Sequence, residues 1–282
     1  MQPRPPRLTK HHGLGNDFVV VVDPDASHPV DADLARALCD RHTGVGADGV
    51  LRATPATTPA GGRATRMELR NADGSSAEMS GNGIRCLVQA LLLAEPALAP
   101  QVPVLTEAGL RVVTVHERID AVTHSLSVAM GAARVGGEAL EWAGGDVARA
   151  LLVDMGNPHL VLDLATAGPA VAAEIDLEAV GEAVNAKVPG GANVHLLTAP
   201  GDGAIAIRTY ERGVGPTRAC GTGACASAVA ARAWGLAGDV VPVDMPGGRA
   251  DVTLGSAPDD EIVLRGPTTY VAAIELGASP WP

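Results

Sequence analysis

Two short stretches hold the residues best suited to chemistry. In "NADGSSAEMSGNGIRC", residues 71–86, Ser80 stands directly before a Gly-Asn-Gly turn. In "YERGVGPTRACGTGACAS", residues 210–227, Cys220 holds the equivalent place before Gly-Thr-Gly. Each reads as a strand-to-helix turn with the polar residue at or next to the helix N-cap. Unpaired backbone N–H groups and the helix dipole favour negative charge there. Glycines let a carboxylate approach those amides, and the same field is expected to lower the pKa of Cys220 toward neutrality. Two such helix starts, face to face, could grip one carboxylate. Their polar residues would then stand on opposite sides of the neighbouring carbon, one removing a proton and the other returning it. That is the geometry of cofactor-independent racemisation or epimerisation of an amino acid. No G-x-G-x-x-G fingerprint after a strand and no P-loop appears, so no cofactor is expected.

The elements that must position these residues form an internal repeat. "GNDFVVVV" begins at Gly15 and "GNPHLVLD" at Gly156; Ser80 lies 64 residues after Asn16, and Cys220 lies 63 after Asn157. Between these points the order matches: an acidic-start helix ("VDADLARALCDRH", "IDLEAVGEAVNAK"), then a glycine turn and strand ("GVGADGVL", "GGANVHLL"), then a strand closed by Asn71 or Glu211 ("ATRMELRN", "AIAIRTYE"). After each Gly turn comes an apolar run free of Gly and Pro, "IRCLVQALLLAE" and "ACASAVAARAW". Such continuous hydrophobicity predicts helices buried on most sides. The fold class is therefore α/β: two similar lobes, each a strand-rich, mostly antiparallel sheet wrapped around a buried central helix. The expected domains are an N-terminal lobe over 1–130, completed by a C-terminal strand at 268–282, and a second lobe over 131–267. The glycine-bearing stretch 129–145 is the expected crossover. Residues 53–65, "ATPATTPAGGRAT", read as an exposed loop.

Composition narrows the class. Hydrophobic residues make up 46% of 282 but aromatics only 2%, so Ala, Val and Leu must do the packing. A net charge of −11 without a dense Lys/Arg block argues against nucleic acid or an anionic membrane as partner. No apolar run approaches the roughly 20 residues of a membrane span, and the basic N-terminus lacks the apolar segment of a signal peptide. Four cysteines in a chain this long are no disulfide scaffold, and Cys220 and Cys225 lack zinc spacing, so no metal is expected. The chain reads as reduced, soluble and cytoplasmic.

The residues resemble the diaminopimelate epimerase family. "HGLGNDF", "RHTGVGADG", "NADGS", "GNGIRC", "MGNPH", "NVHLL", "YERGVG", "ACGTGAC" and "PGG" carry the resemblance in order along nearly the whole chain. It implies two pseudo-symmetric α/β lobes with the active site in the cleft between them, often in a homodimer. The implied reaction is interconversion of LL- and meso-2,6-diaminopimelate, a step toward lysine. Cys220 would be one catalytic acid/base, with Ser80 in the place of the other. Gly81, Asn82, Gly221 and Thr222 would offer helix N-termini to the carboxylate at the reacting carbon. Asn16, Asn71, Asn157, Asn193, Glu211 and Arg212 would hold the rest of the substrate, Arg212 gripping a carboxylate and Glu211 meeting an ammonium. His159 would line the same region.

Ser80 departs from that pattern, which has a second thiol there. A serine hydroxyl is a far weaker acid than a thiol and a poor resting base without a histidine beside it. The preferred reading is a Cys→Ser exchange that disarms an ordinary epimerase; the other is a chain that works with one thiol. Cys39, Cys86 and Cys225 fall in apolar helical pattern and read as core. His11, His12, His28, His42, His116, His124 and His195 share no ligand spacing and read as surface or strand residues. Three rival functions remain: racemisation of another amino acid such as histidine, elimination of water from a β-hydroxy substrate, and a silent amino-acid-binding protein.

Overall fold

In the computed structural model of the chain, the described residues are 6–139, 142, 145–257 and 259–277. The chain divides into two compact units, Met1–Val128 with Gly266–Pro282, and Ala129–Arg265.

The first unit opens with a hairpin of β1 (Arg7–Gly13) and β2 (Asn16–Val22). Gly13 pairs with Asn16, so the turn is only Leu14-Gly15, both left-handed, at φ 57° and 83°. Such primed turns match the twist of the flanking strands, and Gly15 meets the demand without strain. The turn fixes Asn16 as the first residue of β2. Next, α1 (Ala32–Cys39) starts at Asp31, whose carboxylate accepts the Leu34 N–H at 2.8 Å. It makes the crossover to β3 (Gly49–Thr57), parallel to β2. β4 (Arg63–Asn71) returns antiparallel, and α2 (Gly81–Ala94) makes a second parallel crossover to β5 (Gln101–Thr106). β6 (Gly109–Arg118), β7 (Thr123–Gly131) and β16 (Ile262–Ile274) complete the row, and β16 pairs back onto β1. Eight strands thus close into a barrel, which leaves no sheet edge. Ten successive α2 residues, Gly81 to Ala90, are buried, as the unbroken apolar run predicts.

Polar pins set how α2 sits in that barrel. Gln89, fully buried, donates to the carbonyls of Val122 and Thr268 at 2.9 and 2.8 Å. Its own carbonyl oxygen therefore accepts from His11 Nδ1 at 2.8 Å, and His11 Nε2 accepts the Thr9 hydroxyl at 2.9 Å. The ring is neutral, and burial pushes its pKa down to about 4. In the unfolded chain the ring titrates near 6.5. The folded value is depressed, so its stabilisation is complete above pH 6.5 and is lost as pH falls toward 4, about 3 kcal/mol in all. Urea midpoints should accordingly fall as pH drops from 6.5 to 5, above the range where carboxylates such as Asp23, held low by Arg52 and His28, begin to protonate. A flat profile there contradicts this reading of His11.

The second unit repeats the plan. β9 (Arg149–Asp154) and β10 (Pro158–Asp163) form a hairpin flanked by β8 (Arg134–Glu138). α3 (Gly168–Glu174) and α4 (Leu177–Lys187) lead to β11 (Asn193–Gly201), parallel to β10. β12 (Ala204–Glu211) returns antiparallel and carries the short β13 (Gly215–Thr217) on its end. α5 (Gly221–Ala233) crosses to β14 (Val240–Met245), parallel to β12, and β15 (Gly248–Thr253) joins it to β16. Parallel pairs need a crossover, so the two in each unit are where the sequence must supply helices, and the helix-forming runs lie there. Alanine dominates α5, where Gly221 and Gly223 through Ala231 are buried; small residues let strands approach closely. All sixteen named strands lie in one sheet path or beside it, mostly antiparallel. No described helix is long and apolar enough to cross a membrane.

One expectation is corrected. Residues 53–65 are largely the β3–β4 hairpin, with a turn only at 58–62, and Ala53, Thr54 and Ala64 are buried. Pro55 misled because it stands past Ala53, where pairing with β2 has ended and β3 needs no N–H on that side. The stretch 129–145, the expected crossover, starts where the second unit starts, at Ala129, and holds the end of β7 and all of β8. Residues 140, 141, 143 and 144 of it lie outside the described residues, as do 278–282 of the expected C-terminal strand.

Candidate active site

Each buried helix has its N-cap nine residues past the end of a long strand, β4 at Asn71 or β12 at Glu211, and that N-cap is the residue singled out by the repeat. Ser80 has φ −137° and ψ 123°, Cys220 φ −126° and ψ 114°. Ser80 Oγ accepts the Gly83 N–H at 3.0 Å and Cys220 Sγ accepts the Gly223 N–H at 3.4 Å. Extended backbone with a side chain folded onto the third residue's amide is the N-cap geometry. The device is built twice, with oxygen in one copy and sulfur in the other.

In the first unit, Asn82 Nδ2 lies 3.3 Å from Asn16 Oδ1, and Asn16 Nδ2 donates to Asp48 at 2.8 Å. Arg85, wholly buried one turn further along α2, donates to Asn82 Oδ1 at 2.8 Å. Asp48 also takes the Asp17 N–H at 3.0 Å and the Arg41 guanidinium at 2.8 Å. Thus Asn16, Ser80, Gly81 and Asn82 gather at one helix start. Asn71 ends β4 and donates to Ser75 Oγ at 3.0 Å.

In the second unit, Glu211 ends β12 and accepts the Thr217 hydroxyl at 2.6 Å. Asn193, buried at the start of β11, accepts the Arg212 N–H at 2.9 Å, so it fixes the backbone of the Glu211-Arg212 pair. The exposed Arg212 guanidinium reaches the Gly190 carbonyl. Asn157 Oδ1 accepts from His159 Nε2 at 2.9 Å. Thr222 Oγ1 lies 3.5 Å from Cys220 Sγ.

The expected low pKa of Cys220 is overturned. Burial, then the negative charge of Glu211, pushes the thiol well above its ordinary value; the Thr222 and Gly223 donors pull the other way but do not prevail. Cys220 is only 5% exposed, and a thiolate there loses its water. It is therefore a thiol at neutral pH. Cys39, Cys86 and Cys225 are buried and in no disulfide among the described residues, as the apolar pattern implied; burial pushes Cys39 and Cys86 up to about 11 and 12.

A profile of the diaminopimelate epimerase family matches residues 8–135 and 151–271. The chain belongs to the diaminopimelate epimerase family. A diaminopimelate epimerase of Mycobacterium tuberculosis is 43% identical over 290 aligned residues, covering 97% of this chain and 98% of that one. That of Mycolicibacterium gilvum is 40% identical, covering 98% of each. Membership makes the chain an isomerase that epimerises an amino acid. Among solved structures, a probable proline racemase from Agrobacterium radiobacter superposes with a TM-score of 0.70 at 20% identity, over 98% of this chain and 94% of that one. A hydroxyproline epimerase from Agrobacterium vitis gives 0.67 at 19% identity, over 95% and 91%. These distant likenesses establish the fold, a mixed α/β arrangement dominated by barrel-like sheet.

Three polar residues escaped the sequence reading. Asp48 holds Asn16 from 32 positions away, Thr217 holds Glu211, and His195, grouped above with the surface or strand histidines, is fully buried on β11 and bonded to His159. His11 is likewise buried. Asp48 lies inside "RHTGVGADG", the one signal that could have flagged it.

Proposed function

We propose that this chain acts on LL-2,6-diaminopimelate and its meso form, with Cys220 as acid/base on one face of the α-carbon and Ser80 in the position of the other, and that Ser80 leaves the reaction impaired. The observation that carries this reading is the matched N-cap pair. Each residue is aimed at the amide three residues on, in the same backbone conformation, on the buried helix of its own repeat. The names of the relatives supply the substrate.

The chemistry follows from the parts. The α-proton moves to Cys220 sulfur, and the C–H electron pair flows into the adjacent carboxylate. Backbone amides at Gly81, Asn82, Gly221 and Thr222 meet the charge that accumulates there. Reprotonation from the far side, by the Ser80 hydroxyl, whose oxygen regains a proton from solvent, completes inversion. Cys220 must first give its own proton to solvent, and Glu211 is placed to govern this. Its charge, after burial, raises the thiol. A substrate ammonium beside Glu211 cancels that field and adds a positive charge that favours thiolate. On the other face Ser80 has no comparable acidity to offer. Asn16, Asn71, Asn157, Asn193 and Arg212 hold the distal amino-acid end, and His159, expected to line it, is instead fully buried and backs Asn157.

A panel of LL- and meso-diaminopimelate, histidine, proline and trans-4-hydroxyproline tests the substrate. Loss or exchange of the α-proton should be confined to diaminopimelate. Turnover of histidine or of a proline in preference, or elimination of water from hydroxyproline, contradicts the assignment; binding with no proton exchange at all marks a silent binding protein.

A further inference from the structure

β11 lies between two helical layers. Val194 and Leu196 join the apolar cluster formed with α3 and α4. His195, on the alternate face, lies under the first turn of α5, where a Cβ built on Gly223 would sit 2.2 Å from its Cε1. An imidazole with no exposed surface is a costly choice where Val or Leu would fill the space, unless both nitrogens are bonded. Both are. His195 Nε2 lies 2.8 Å from His159 Nδ1, and His195 Nδ1 lies 3.1 Å from Thr209 Oγ1, itself buried. The two rings stack with centroids 5.1 Å apart.

The chain of bonds has one direction. Asn157 offers its carbonyl oxygen, so His159 carries its proton on Nε2 and its Nδ1 is an acceptor. His195 must then donate from Nε2, leaving its Nδ1 to accept the Thr209 hydroxyl. Both rings are neutral: burial takes His195 down to about 3 and His159 well below its ordinary value. At its other side the His195 ring abuts Gly223, whose N–H caps Cys220.

We infer that His195 is a positioning residue for the reaction: it locks His159 in its Nε2–H tautomer and supports the helix turn that caps Cys220. The inference rests on the functional reading above only for the statement that Asn157, which the buried His159 holds, binds substrate; the tautomer lock stands on the bonds alone.

Three substitutions separate the roles. In His195→Gln the terminal amide reaches the place of Nε2 and still donates to His159. In His195→Asn the amide reaches only the place of Nδ1 and bonds Thr209. His195→Phe keeps the ring volume and neither bond. Two properties are read on the full chain: the rate of α-deuterium exchange into diaminopimelate, and the His159 tautomer in proton–nitrogen correlation spectra of the imidazoles. We expect the Nε2–H tautomer of His159 in the parent and in Gln, and a mixture in Asn and Phe. Exchange should drop about tenfold to a hundredfold in Asn and Phe, mainly in kcat, with Gln recovering most of it. Thermal unfolding of each variant separates this order from loss of fold. Equal losses in all three variants that track their thermal midpoints, or an unchanged His159 tautomer in Asn and Phe, overturn the inference. If the parent exchanges no diaminopimelate, the functional reading fails while the tautomer spectra still decide the role of His195.

Discussion

Replacing Ser80 by cysteine should raise the rate of diaminopimelate epimerisation roughly a hundredfold to ten-thousandfold, the span that one positioned acid/base group contributes. Little else stands in the way of that gain. Ser80 already has the backbone angles of Cys220 and already accepts the amide of the third helix residue, at 3.0 Å. It is half-buried where Cys220 is buried, so the larger sulfur has room. What the serine lacks is acidity: its hydroxyl is protonated at rest, so it cannot open the reaction on its own face and donates a proton only weakly when the other face has opened it. The change is read as inversion per unit time with each diastereomer as substrate. A gain below about threefold means that Ser80 is not what limits the parent.

Removing the remaining thiol has the opposite consequence. In Cys220→Ala the exchange of the α-proton should fall by roughly a thousandfold in the parent, and in the Ser80→Cys form the same loss should be confined to the diastereomer whose α-proton faces Cys220, because no group is left on that face. The fold should survive. The bond lost is a 3.4 Å cap from Gly223, so the variant gives up about 1 kcal/mol, and Ala suits a buried, close-packed position. Unchanged circular dichroism with abolished exchange is the expected pair of results. The pH dependence of the intact chain carries the same claim with a definite sign. Burial and Glu211 hold the thiol protonated in the free enzyme, so kcat/KM for exchange should keep climbing with pH through neutrality and beyond pH 9, the ordinary range for a thiol. A plateau beginning near pH 7 contradicts the raised thiol.

Much of this was legible in the sequence, for reasons that differ by residue. Ser80 and Cys220 declared themselves because a strand, a polar residue, a Gly-x-Gly turn and an unbroken apolar run are local signals, and their recurrence at matched spacing excludes accident. The buried α2 and α5 followed from the same runs. What local pattern cannot carry is the cost of leaving water. The N-terminal dipole that should acidify Cys220 is readable, whereas its 5% exposure and the approach of Glu211 from the end of β12 exist only once β12 and α5 are packed. His195 failed for a related reason. In "NVHLLT" a histidine among apolar residues marks a solvent face in a one-sided strand, but β11 is covered on both faces. Asp48 was hidden by distance, since its partner Asn16 belongs to the preceding parallel strand. Residues 53–65 were misread because proline and glycine signal loops locally, while the β3–β4 pairing that overrides them is non-local.

The most direct test of the two-faced account is to incubate the parent chain in heavy water with LL- and with meso-diaminopimelate separately, following both deuterium at the α-carbon and configuration. With one competent acid/base, deuterium should enter only the diastereomer whose α-proton faces Cys220, with configuration largely kept, while Ser80→Cys exchanges and interconverts both. If the parent exchanges and inverts both diastereomers as fast as Ser80→Cys, Ser80 is a full partner of Cys220, and the claim that the reaction requires a thiol on each face is wrong.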